Sequence, residues 1–126
     1  MNIYTYGVDY ITIDALRESG YEVIQQVDWP AAEQVQNQIF FVTSEVVQAI
    51  EIPSLRERYP DTVILYQTLV KGLRSYLHLH ALCEQHGIVF HSPHSTPDII
   101  LDSIKRLFEQ ERTIVNEKLI GFFGSA

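Results

Sequence analysis

The sequence predicts an α/β domain built on a five-stranded parallel sheet with helices on both faces. Three observations carry this. Short apolar runs alternate with stretches of helical period, a pattern that implies crossover connections and hence parallel strands. The run Ile39-Phe40-Phe41-Val42 is apolar at every position, as a strand covered on both sides must be. The 126 residues are 46% hydrophobic and 20% charged, which suits one compact domain with a real core.

Taken in order, Ile3 to Tyr6 reads as the first strand, and Gly7 permits the tight turn after it. A helix is expected from about Asp9 to Ser19, with Gly20 just past its C-terminus. Tyr21 to Val27 is less apolar and reads as a second strand nearer a sheet edge. Trp29-Pro30 opens a short helical or irregular piece through about Gln36, and Ile39 to Val42 is the central strand. Ser44 to Ile50 and Ser54 to Arg58 read as two short helices interrupted at Pro53. Thr62 to Tyr66 is the fourth strand, Thr68 to Gln85 the longest helix and Ile88 to Phe90 the fifth strand. Thr96-Pro97-Asp98 is a helix start, with a hydroxyl at the cap, proline at the first position and an acid in the first turn. Ile100, Ile104, Leu107 and Phe108 give that last helix one apolar face, and it is expected to end near Gln110 to Thr113.

Charge and composition exclude several classes. A formal net charge of -7 argues against a nucleic-acid partner, whose phosphates demand a basic patch, and against an anionic membrane surface. No run reaches the roughly 18 apolar residues of a membrane span, so direct membrane insertion is not expected. The single cysteine, Cys83, has no internal disulfide partner, which fits a reducing, cytoplasmic setting.

A parallel sheet places its sites beyond the carboxyl ends of its strands. Here those ends read Gly7-Val8-Asp9, Thr43-Ser44-Glu45, Gln67-Thr68 and His91-Ser92. All five histidines (His78, His80, His86, His91 and His94) fall between positions 78 and 94. His78 and His80 are two apart on a helix and point to different sides, and His86 sits near the helix C-terminus. His91 and His94 share a loop as only two ligands, so the five read as surface and cap residues and no metal site is expected. His91 beside Ser92 and Ser95 lacks an orienting carboxylate and any G-x-S-x-G turn, so no catalytic residue is assigned.

The long helix is apolar most of the way round. Leu69, Leu73, Leu77 and Ala81 make a stripe suited to the sheet, and Tyr76, Leu79, Leu82 and Cys83 extend the apolar surface beyond it. That second face is the candidate interaction surface for a partner or a second copy. The alternative is a helix sunk deeper in the core, with Cys83 a small buried hydrophobe.

The order and spacing of these elements resemble a response-regulator receiver domain over residues 1 to about 112. The matching segments are Ala15-Leu16-Arg17-Glu18-Ser19-Gly20-Tyr21-Glu22-Val23, the strand from Pro60 to Tyr66, and Pro93 after the fifth strand. The resemblance implies a flavodoxin-like strand order 2-1-3-4-5. It also implies a pocket formed by Gly7, Asp9, Thr43, Ser44, Glu45, Gln67 and Ser92. Family phosphoryl chemistry uses an acidic pair after strand one, an acceptor aspartate after strand three, a hydroxyl after strand four and a lysine after strand five. Here those positions read Tyr6-Gly7, Thr43, Gln67 and Ser92, so the resemblance is to a pseudo-receiver with the shape but not the chemistry.

The tail Glu117-Lys118-Leu119-Ile120-Gly121-Phe122-Phe123-Gly124-Ser125-Ala126 is similar to the first strand of ParA/MinD-type ATPases, with Gly124 as the first glycine of a phosphate-binding loop. A receiver-like domain followed by such an ATPase is the layout of the TadZ/CpaE pilus-assembly and secretion proteins. It implies a receiver-like domain over residues 1–113 and a linker plus first ATPase strand over 114–126. The expectation is a non-enzymatic interaction or localisation module without a cofactor of its own, ATP and Mg²⁺ entering only through the adjoining domain. A small α/β domain binding a nucleotide or metabolite at the strand ends is the alternative, as is a regulator that signals without phosphorylation.

Overall fold

The computed structural model describes the backbone of residues 1–124 and the side chains of residues 1–110. Five strands run β1 (Ile3–Tyr6), β2 (Val23–Gln26), β3 (Ile39–Thr43), β4 (Val63–Gln67) and β5 (Val89–His91). Four helices, α1 (Tyr10–Glu18), α2 (Ile52–Arg58), α3 (Leu73–Gln85) and α4 (Pro97–Gly124), connect or follow them. The strands form one parallel sheet in the order β2-β1-β3-β4-β5. This is the architecture the alternating pattern predicts.

The sheet divides the core in two. On one face, Ile13 and Leu16 of α1 and Ile100 and Ile104 of α4 pack on Ile3, Ile39, Phe41 and Leu65. On the other, Ile52 and Leu55 of α2 and Leu79 and Cys83 of α3 pack on Tyr4, Phe40, Val42, Ile64 and Tyr66. Successive side chains of β3 point to opposite faces, and both faces are covered, which is why that strand is apolar throughout.

Several local expectations are corrected. Ser44 to Ile50 is not a helix: a turn leads into a short 3₁₀ stretch at Ala49–Glu51. Pro53 does not interrupt α2 but lies in its first turn, where a missing N–H has no partner to lose. The longest helix is α4, with 28 residues, and α3 starts at Leu73 and not at Thr68. Of the two forms expected for the β2–β3 connection, helical or irregular, the irregular one is found, with turns and no helix. Trp29, Ala32 and Val35 pack there against the core, anchored by the Tyr59 hydroxyl donating to the Pro30 carbonyl at 2.7 Å.

The strand expected over Leu119 to Phe123 is corrected as well, because α4 continues through Gly124. From Pro97 to Gly121 the chain meets neither proline nor glycine, so nothing local stops the helix. A lone strand beside a completed sheet would leave its backbone groups unpaired, whereas a helix satisfies them within the segment. Ser125 and Ala126 lie outside the described residues. Among the described residues no helix is long and apolar enough to cross a membrane.

The face of α3 is also reversed. Leu79 and Cys83 are 4% and 0% exposed, whereas Leu73 and Leu77 are 73% and 56% exposed. The proposed partner face is therefore the core face, and the stripe assigned to the sheet looks outward. In this rotation Tyr76 and His80 lie against β5, with ring centroids 5.2 and 5.3 Å from that of Phe90. Leu69 lies before α3, so the competing stripe loses its first member.

Candidate functional site

The register brings the ends of the strands into one row. Thr43 pairs with Gln67 and Gln67 with His91, while Tyr6 pairs with Val42 and so leaves Gly7 beside Thr43. The fifth-strand member of this row is His91. Ser92 follows it at the start of the exit loop. Its carbonyl accepts from Gln67 Nε2 at 3.3 Å, as does that of Ser95.

Hydrogen bonds, some within one turn and some between distant segments, hold the pocket residues. Asp9 caps α1, Oδ1 accepting from the Thr12 backbone N–H at 2.8 Å and Oδ2 from the Thr12 hydroxyl at 3.0 Å. The Thr43 hydroxyl donates to the Gly7 carbonyl at 2.6 Å and accepts from the Glu45 N–H at 3.3 Å. The Ser44 N–H donates to the Gln67 carbonyl at 3.0 Å, and its hydroxyl accepts from the Leu69 N–H at 2.8 Å. Glu45 itself is exposed.

Gly7 is required by its surroundings. Its φ of +75° is left-handed, and a Cβ there would stand 2.8 Å from Val46 Cγ1 and 3.2 Å from Thr43 Oγ1. Val46 therefore lies over the end of β1, where the phosphoryl chemistry of the resembling family would need an acidic pair. Reasoning from sequence missed Val46, because a valine after a strand carries no local signal of closing a crevice.

A magnesium ion, which the fold family implies, does not fit this donor set. It would want several carboxylate oxygens. Asp9 is committed to its helix cap, Glu45 points to solvent, and the remaining row members are neutral. Among the described residues no three His, Cys, Asp or Glu side chains gather as a metal site.

His91 is 9% exposed, and burial pushes its pKa below the usual imidazole value. Nδ1 lies 3.3 Å from Ser95 Oγ, and Nε2 is buried without a partner. Cys83 is fully buried and its thiol is pushed up to about 12 by desolvation, so it is inert packing. Tyr76 and Leu82 are half-buried on the same inner side. Beside β5 runs an open groove of about 410 Å³, lined by Val70, Leu73, Tyr76, Ser92, Pro93 and His94.

No family model matches the chain. No curated protein matches it either. Among solved structures it is similar to a CheY-like response-regulator receiver domain from Methanospirillum hungatei, at a TM-score of 0.62 and 17% identity over 89% of this chain and 97% of that one. It is similar to a Burkholderia pseudomallei protein described as pilus assembly-related, with a TM-score of 0.60 and 16% identity over 84% of this chain and 87% of that one. A Burkholderia thailandensis protein described as the pilus assembly protein CpaE gives a TM-score of 0.56 and 17% identity over 84% of this chain and 96% of that one. The chain has the flavodoxin-like fold of the CheY-like receiver domains.

Proposed function

We infer that this domain is a receiver-like protein-interaction module that works without accepting a phosphoryl group. The observation that carries the reading is the end of the strand row. A threonine bound to the Gly7 carbonyl stands at the acceptor position, and Val46 covers the place of the acidic pair. A threonine hydroxyl without a base or metal is a weak nucleophile. The test is intact-mass spectrometry after incubation with Mg²⁺ and acetyl phosphate. The expected spectrum is that of the unmodified chain, and a stoichiometric phosphoryl adduct would overturn the reading.

The finer reading is a localisation module of a pilus-assembly or secretion ATPase. It draws support from the two pilus-assembly neighbours and from the sequence of residues 117–126; the helical state of 117–124 runs against the strand form of that match. The gene beyond Ala126 decides it: glycines and a Gly-Lys-Ser/Thr would support the ATPase, and their absence would remove it. The groove beside β5 favours a second reading, a nucleotide or metabolite site. A thermal-shift screen with nucleotides and small metabolites should be flat for the interaction module and positive for a ligand site, since a ligand selective for the folded state raises Tm.

A further inference from the structure

We propose that the outer edge of β2 docks an extended peptide segment of another protein, one whose strand-forming core is flanked by basic residues. This goes beyond the strand-row reading, because it stands on β2 alone and holds whether or not Thr43 accepts a phosphoryl group.

The backbone directions follow from the register. The Ile3 N–H donates to the Glu22 carbonyl at 3.0 Å, and Ile3 pairs with Val23 and Thr5 with Gln25. In a parallel ladder both backbone groups of one residue point to the same side. Glu22, Ile24 and Gln26 therefore face β1, and Val23 and Gln25 face away from the sheet. The Val23 carbonyl is taken by Arg17 Nη2 at 3.1 Å. The Val23 N–H also faces outward but belongs to a residue only 7% exposed, so the open edge is formed by both backbone groups of the exposed Gln25.

Natural sheets blunt such edges with lysine, proline, bulges or a covering element. None of these lies within Val23-Ile24-Gln25-Gln26-Val27, a run without charge, and the connection that follows forms no helix to cover it. Val27 is 94% exposed at the open end. The run has the composition of a strand, and among the described residues only Arg17, on the Val23 carbonyl, bonds to the backbone of its outer side.

Charge selects the occupant. Glu22 and Asp28 bound the run, both exposed, on a chain of net charge -7. A second copy pairing antiparallel about Gln25 would set Glu22 opposite Asp28 at both ends, and a parallel copy would set each acid opposite itself. Like charges directly opposite each other destabilise strand pairs. A segment with Lys or Arg at either end of a short β-branched core reverses that sign and matches the edge.

The experiment titrates the ¹⁵N-labelled chain with a short synthetic peptide of alternating Thr and Val closed at both ends by Lys, beside the same peptide closed by Glu. The expected result is saturable binding of the Lys-closed peptide, with amide shifts concentrated on Val23 to Val27, and binding of the Glu-closed peptide about tenfold weaker. Gln25→Pro removes the outward N–H while leaving the ladder to β1 intact, a placement edge strands tolerate; it should abolish binding. The double substitution E22K/D28K should reverse the preference between the peptides, and carries the test if Gln25→Pro fails to fold. Equal binding of the two peptides, shifts elsewhere, or no shifts at all would overturn the proposal. A concentration-dependent dimer of the parent chain that Gln25→Pro dissolves would overturn it in favour of a second copy.

Discussion

Replacing Leu79 by alanine removes a side chain that is 4% exposed and packed in the cluster with Val47, Tyr66, Cys83 and Ile88. Deleting a buried leucine side chain costs about 2–5 kcal/mol, the transfer free energy plus a term for the cavity left behind. The same change at Leu77, 56% exposed on the opposite side of α3, should stay within about 0.5 kcal/mol. Against a total stability of about 5–15 kcal/mol, the first loss is a large fraction and the second is invisible. For a domain of this size, about 3 kcal/mol corresponds to a fall in Tm of about 10–15 °C. Thermal and urea denaturation followed by circular dichroism measure both variants against the parent. Leu79→Glu, which would bury a carboxylate in that cluster, should not fold, whereas Leu77→Glu should fold normally. If Leu77→Ala proves the more damaging alanine variant, α3 is rotated from the orientation described and the reasoning fails.

Two further outcomes follow from a half-buried arginine and a buried histidine. Arg56 donates to the carbonyls of Thr62 and His86 at 2.9 Å, Tyr59 at 3.0 Å and Gly87 at 3.1 Å, tying the end of α2 to the starts of β4 and β5. Arg56→Lys should cost about 2 kcal/mol in urea unfolding, because an ammonium cannot reproduce the planar fork; an unchanged midpoint would refute the tie. For His91, burial lowers the folded pKa below the unfolded value near 6.5, so the unfolded chain binds the proton more readily. Its contribution is therefore fully present above that value and is lost as pH falls through it towards the folded pKa. Urea midpoints at pH 7.5 and pH 5.5 should differ less in His91→Gln than in the parent, and an equal difference would show that another group titrates.

The strands, their parallel direction and the two-sided core were legible from residues alone. The continuous apolar run Ile39 to Val42 and the alternation of strand and helix periods are local patterns with few three-dimensional solutions. The start of α4 at Pro97 was equally local, since capping depends on residues within one turn. What the tertiary structure decided was every choice between two acceptable local answers. Helix α3 carries apolar residues on both sides, and only the packed structure shows that the side of Leu79 and Cys83, with Tyr76 and His80 against Phe90, meets the sheet. The tail has an apolar run that reads as a strand, yet with the sheet complete at five strands its backbone is satisfied as a continuation of α4. At the strand row, the absence of an acidic pair could be read in the sequence. That Val46 lies over Gly7, and that the row ends on His91 with Ser92 one residue beyond, depends on register and on contacts between segments far apart in the chain, which no local pattern encodes.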